Sequence, residues 1–175
     1  MKRISAVALL LLTMVSNMIF PVFAAKVSPC YEDVSRGQWY YSAVRSAYEQ
    51  GWMTGLSDTE FGVETPLTRG ELVTSLGMLA GINLRSYSAG DRQVFRDVDG
   101  TLLPYVLWAK ETGISQGVSG TRFAPEAEVT HEQLAAMVGR FVEVQELTLP
   151  EISLTPRFSD ADEVSDWALD SFELL

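Results

Sequence analysis

The chain has 175 residues, with 13 Lys+Arg against 23 Asp+Glu, a formal charge of −10. That acidic balance argues against a nucleic-acid partner, which needs a basic face to displace counterions from phosphate. A hydrophobic fraction of 47% argues against disorder. The single Cys cannot close an internal disulfide. Cys30 with the lone His131 is too poor a donor set for a zinc site, which takes four ligands.

Lys2 and Arg3 open the chain, and Ile4 to Phe20 carries no charge. Val22 and Ala24 then stand in the small-residue positions before a cut. This is the layout of a secretory signal peptide over residues 1–24, cleaved after Ala24. An uncleaved anchor is the competing reading, although a run of about 17 residues is at the short limit for a span. Val27-Ser28-Pro29 before Cys30 is not a lipobox, so Cys30 is expected to stay a free thiol. Removing the segment deletes two positive charges and takes the mature chain to −12.

The remainder repeats itself. With an offset of 62, Gly51 falls on Gly113, Gly55 on Gly117, Ser57 on Ser119, Thr59 on Thr121 and Phe61 on Phe123. Glu64, Thr68, Leu72 and Gly77 also meet their own kind. Nine of the 29 positions from 51 to 79 are identical, where chance gives about two. The aromatic starts Tyr31-Glu32-Asp33-Val34, Phe95-Arg96-Asp97-Val98 and Phe158-Ser159-Asp160-Ala161 lie 64 and then 63 residues apart. The third copy has only 18 residues before the sequence stops.

Each copy reads as helix, loop, helix. Tyr40, Val44, Ala47 and Tyr48 make a helical apolar stripe ending at Gly51, placed for a left-handed cap. Tyr105, Trp108, Ala109 and Gly113 repeat it. The loop from Trp52 to Leu67 is rich in Gly, Ser, Thr and Asp. Thr68-Arg69-Gly70-Glu71 has the capping-box pattern, and Thr130-His131-Glu132-Gln133 echoes it. Leu72, Leu76 and Leu79 then face a core, as do Leu134, Met137, Val138 and Phe141. Asn83–Gln93 and Leu147–Pro156 are polar links. Asp33, Asp97 and Asp160 are expected to fix backbone before each first helix. One copy holds too little apolar surface to be stable alone, so an all-α assembly of helix pairs is expected.

This order of motifs resembles the S-layer homology (SLH) repeat. Tyr31–Val34, Trp39-Tyr40-Tyr41 with Ala43-Val44, Gly51–Gly55, Ser57–Phe61 and Leu67–Leu72 carry the likeness in the first copy. Phe95–Val98, Gly113–Gly117, Phe123-Ala124-Pro125 and Val129–Leu134 carry it in the second, and Phe158–Asp160 with Trp167-Ala168 in the third. The resemblance implies tandem helix-loop-helix repeats around a shared bundle, pseudo-threefold, with the third incomplete. Its boundaries are 1–24 for the signal peptide, then repeats at 25–90, 91–154 and 155–175.

The family further implies an exported, non-covalent anchor on the bacterial cell surface. Its partner would be an acidic, pyruvylated polysaccharide attached to peptidoglycan, and other SLH chains are a second possible partner. By the resemblance the candidate ligand contacts are Trp39, Thr54, Gly55 and Arg69, then Gln116, Gly117 and His131. The departures are Thr54 and Gln116 where a basic loop residue is common, and His131 where the first copy has Arg69. Leu102-Leu103 stands where the first copy has Trp39-Tyr40, with Trp108 nearby. An acidic sugar favours a bidentate Arg contact, and Arg69 clearly offers one. The plainer readings are a solvated Arg69, a surface His131 and a packing role for Trp39.

No cofactor or metal is expected. The Gly-rich loops lack a P-loop Lys and the spaced carboxylates of an EF-hand. The lone His has no nucleophile motif around it, and Asp160 with Asp162 has no visible cleft, so an enzyme is not expected. Drifted repeats with a structural or interaction role, or a piece of a longer surface protein, are the alternatives.

Overall fold

The structure is a computed structural model that describes residues 31–87, 95–149 and 164–175. The expected signal peptide, Cys30 and the Phe158–Asp160 start of the third copy lie outside the described residues. Among those residues the chain is all-α. Its helices are α1 (Tyr41–Glu49), α2 (Arg69–Leu79), α3 (Leu103–Glu111), α4 (His131–Val144) and α5 (Asp166–Leu174). A 3-10 turn at Leu84–Tyr87 lies within the polar link expected over Asn83–Gln93.

The 62-residue offset holds for the helices: α1 becomes α3, and Arg69 at the head of α2 becomes His131 at the head of α4. This register corrects the alignment of Leu102-Leu103 with Trp39-Tyr40. Trp39 falls opposite Thr101, and Leu103 is a core residue at 6% exposure. Gly51 and Gly113 follow α1 and α3 with φ of 73° and 84°. That is the left-handed region, where glycine carries no Cβ penalty.

The chain divides into two compact units, one ending at Pro66 and one beginning at Leu67. In the first, Tyr31 is buried and meets Tyr48 and Phe61 edge-on at 5.8 and 5.4 Å. Val44 and Ala47 of α1 are buried as their spacing predicts.

The second unit holds α2 to α5 around Phe95, Phe123, Phe141, Leu76, Ile114, Val73, Val106 and Val138, all essentially inaccessible. Leu72, Leu76 and Leu79 on α2, with Leu134, Met137, Val138 and Phe141 on α4, face this core as expected. Trp108 is buried there too, edge-on to Phe141 at 6.4 Å. It is therefore no surface substitute for Trp39. Helix α5 rests on α4, where a Cβ on Gly139 would stand 2.8 Å from the Ser171 hydroxyl oxygen. The backbone N–H of its N-cap residue, Ser165, donates to Glu132 Oε1 at 2.7 Å. Helix α2, encoded in the first copy of the sequence, thus folds with the second.

Candidate functional site

Both loops are held by the same device. Asp33 accepts hydrogen bonds from Phe61 N at 2.9 Å, Gly62 N at 2.7 Å and Val63 N at 3.1 Å. Asp97 accepts from Phe123 N and Ala124 N, both at 2.9 Å. The third donor is missing in the second loop because Pro125 stands in the place of Val63 and has no N–H. Arg122 Nε lies 3.7 Å from the carboxylate instead. These aspartates were expected to fix backbone just before the first helix, as caps or turn residues; their carboxylates instead pin backbone 26 or more residues downstream. Burial alone would raise both carboxyl pKa values, but the backbone donors outweigh it and hold both below the ordinary range. Asp160 lies outside the described residues.

The two loops also share a close approach. A Cβ on Gly55 would lie 2.6 Å from the Tyr31 ring and from Glu60 O. One on Gly117 would lie 2.5 Å from the Phe95 ring and 2.7 Å from Arg122 O. Only glycine fits at either place. Gly55 N donates to the Tyr31 hydroxyl at 3.1 Å. Phe95 has no hydroxyl, and Gly117 N–H meets no acceptor among the described residues.

In the second unit, the head of α2 sits on the second loop. Thr68 Oγ1 accepts from Glu71 N, and the Glu71 carboxylate accepts from Thr68 N at 2.8 Å, so the capping box is complete. It fixes Arg69 as the first helical residue. Arg69 N donates to Ala127 O and Gly70 N to Pro125 O, both at 2.9 Å, while Val129 N returns a bond to Leu67 O at 2.9 Å.

The Arg69 side chain then runs under the loop at 4% exposure. Nε donates to Phe123 O at 2.9 Å, Nη1 to Gln133 Oε1 at 3.2 Å and Nη2 to Ser115 Oγ at 3.3 Å. The guanidinium carbon lies 4.8 Å from the Phe123 ring centre. The plainer reading of Arg69, a solvated surface arginine, is corrected: the side chain is a buried brace. Gln133, expected to complete a second capping box, is drawn to Arg69. At the head of α4 only the half in which Thr130 accepts from Gln133 N is made.

The electrostatics of this arrangement are unbalanced. Burial pushes the Arg69 pKa down from its ordinary value, though an arginine stays protonated at neutral pH. It sits at the positive end of the α2 dipole, which also disfavours a cation. Its three described acceptors are neutral, and no carboxylate among the described residues pairs with it. A guanidinium has five N–H donors. Three are engaged, so Nη1 and Nη2 each keep one. Ser115 continues directly into Gln116 and Gly117, which brings the unused Gly117 N–H to the same loop.

The other candidates divide by unit. Trp39 is 51% exposed and edge-on to Tyr40 at 5.3 Å, and Thr54 is exposed beside half-buried Gly55, all in the first unit. Gln116 is exposed and donates from Nε2 to Lys110 O at 3.2 Å. His131 is exposed at the head of α4. Ser115 and Gln133 are the site residues that sequence reasoning missed. The replacement of Glu71 by Gln133 between copies was the available signal, because a neutral acceptor there can turn to a cation. Among the described residues, no group of three or more His, Cys, Asp or Glu could hold a metal ion, and no helix is long and apolar enough to cross a membrane.

Comparison with known proteins gives the same pattern. The S-layer homology domain matches residues 31–73 and 94–135. The chain is 28% identical over 173 residues to an endoglucanase of Bacillus sp. (strain KSM-635), covering 94% of this chain and 18% of that protein. It is 28% identical over 123 residues to a cell surface protein of Thermoanaerobacter kivui, covering 69% and 16%. A surface-layer 125 kDa protein of Lysinibacillus sphaericus is 29% identical over 120 residues, covering 65% and 10%. The chain therefore spans less than a fifth of the length of these curated relatives.

Proposed function

Because this chain is an S-layer homology domain protein, we propose that it is a cell-surface anchoring module whose second unit holds an anionic polysaccharide of the bacterial wall. The observation that carries the reading is the buried Arg69 charge, which no carboxylate among the described residues pairs. Two guanidinium N–H groups, the Gly117 N–H and the Gln116 amide are the donors a sugar carboxylate would use in the second unit, with His131 as a further contact there; Trp39, Thr54 and Gly55 are candidate contacts of the first unit taken by itself. A carboxylate is favoured because the guanidinium fork matches its two oxygens. The pyruvyl acid implied by the family has that group. The shared anchoring segment accounts for the likeness to proteins as different as an endoglucanase and surface-layer chains, so we assign this segment no catalysis. The exported location, the signal peptide over 1–24 and the three-repeat arrangement with an incomplete third copy belong to the same proposal.

Co-sedimentation with purified walls tests it. The protein pellets with intact walls and stays in solution once the secondary polymer is stripped. Arg69→Lys keeps the charge and loses the fork, and it should weaken pelleting more than His131→Ala does. Equal pelleting with stripped and intact walls would refute the reading.

A second reading is supported by the 4% exposure of Arg69 and its three protein acceptors. In it, the repeats have drifted from sugar binding and Arg69 only locks α2 to the loop. Arg69→Lys would then lower thermal stability and leave wall binding unchanged.

A further inference from the structure

The head of α2 docks on the second loop through a specific ladder. Phe123 O, Pro125 O and Ala127 O accept from Arg69 Nε, Gly70 N and Arg69 N. The first loop carries the same ladder 62 residues earlier, at Phe61, Val63 and Thr65. Asp33 pins it as Asp97 pins the second. Within the first unit, nothing among the described residues donates to Phe61 O, Val63 O or Thr65 O.

The matching donors also recur. Thr130-His131-Glu132 at the head of α4 stands where Thr68-Arg69-Gly70 stands at the head of α2. His131 N and Glu132 N have no backbone acceptor among the described residues, and the His131 side chain is exposed.

The geometry points to head-to-tail self-association, in which Thr130–Glu132 of one copy docks on the Phe61–Thr65 edge of a second copy. The occupant follows from the contact the chain already makes with itself. Glu132 N donates to Val63 O and His131 N to Thr65 O, as Gly70 and Arg69 do in the second unit. The imidazole N–H reaches toward Phe61 O, taking the place of Arg69 Nε. The two surfaces are different patches, so the contact is heterologous. Each docked copy still offers one free edge, and assembly closes into a ring or grows into a chain. The inference does not depend on polysaccharide binding.

Disulfide trapping tests it. In the internal contact, a Cβ built on Gly70 lies 3.3 Å from the Pro125 Cβ, near the separation a disulfide needs. The counterparts are Glu132 and Val63. In a Cys30→Ser background, mixing Val63→Cys with Glu132→Cys under oxidised glutathione should give a mixed dimer, and Glu60→Cys with Glu132→Cys should not.

His131→Pro removes the N–H and the imidazole. Proline is tolerated at the first helical position, and Thr130 at φ −75° and ψ 161° already has the conformation that precedes proline. Added to the Glu132→Cys chain, it should cut dimer yield about tenfold. Sedimentation velocity of the unmodified chain and of His131→Pro gives a readout that needs no cysteine. The first should associate with rising concentration and the second should not. Absence of the mixed dimer, a Val63→Cys/Glu132→Cys double variant that closes within one chain, or identical sedimentation of the two proteins would each overturn the inference.

Discussion

Replacing Asp97 by Asn removes the charge that two backbone donors share. Phe123 N and Ala124 N both lie 2.9 Å from the carboxylate, and a hydrogen bond to a charged acceptor contributes about 1.5–3 kcal/mol. Asparagine keeps one acceptor oxygen and turns an NH2 toward the other donor, so at least one of the two bonds is lost. The expected cost is about 2 kcal/mol. For a unit the size of Leu67–Leu175, that lowers Tm by roughly 8 °C.

The pH dependence follows from the direction of the shift. The folded pKa lies below the ordinary value of 3.8, so the unfolded chain binds the proton more readily. The stabilisation from Asp97 is complete above that ordinary value and is lost as pH falls through the folded pKa. Thermal melts followed by circular dichroism should show the full gap between wild type and Asp97→Asn at pH 7. The gap should stay full down to the ordinary value of 3.8 and close only as the pH falls further, through the folded pKa. A gap under 0.5 kcal/mol at neutral pH, or one unchanged in acid, would refute this account of the clamp; that threshold is about the size of an ordinary surface effect.

Gly117→Ala should destabilise by more than about 2 kcal/mol, because its Cβ meets the Phe95 ring and a backbone oxygen. Gly113→Ala, with open space around it at φ 84°, should cost only the left-handed strain of about 1 kcal/mol; urea unfolding separates the two. Thr68→Ala breaks a complete capping box and should cost about 1 kcal/mol, whereas Thr130→Ala breaks half of one and should cost less by the same measurement. Arg122→Ala should change Tm little, since its 3.7 Å contact with Asp97 comes from a side chain that is 67% exposed.

The local grammar of this chain was readable before its contacts were. The helices, their buried faces and the Gly51 and Gly113 caps follow from periodicity and backbone chemistry within a few residues. What escaped was contact across distance. Arg69 meets Ser115, Phe123 and Gln133 over separations of 46, 54 and 64 residues, and no local pattern reports such a fold-back. Hence a residue that looked solvated is buried. The aspartates show the same limit: an acid before a helix reads as a cap, yet Asp33 and Asp97 spend their oxygens on loops beyond that helix. Leu102-Leu103 reads as the counterpart of Trp39-Tyr40 because the first copy has two more residues between Asp33 and α1 than the second has between Asp97 and α3, which blurs the register there. The helices restore it.

The boundary at Pro66 and Leu67 has a consequence for how such arrays can be cut and joined. Inheritance counts in copies that begin at Tyr31 and Phe95, but folding counts in a frame displaced by about half a copy. A graft or deletion made where the sequence motif begins, ahead of Phe95, parts α2 from α3 and α4. It strands Phe123 O and the face that Leu72, Val73 and Leu76 cover. A join made between residues 66 and 67 carries α2 along with the loop it clamps. Exchange of modules by recombination is therefore least disruptive inside the recognisable motif, where sequence comparison alone would never place the seam.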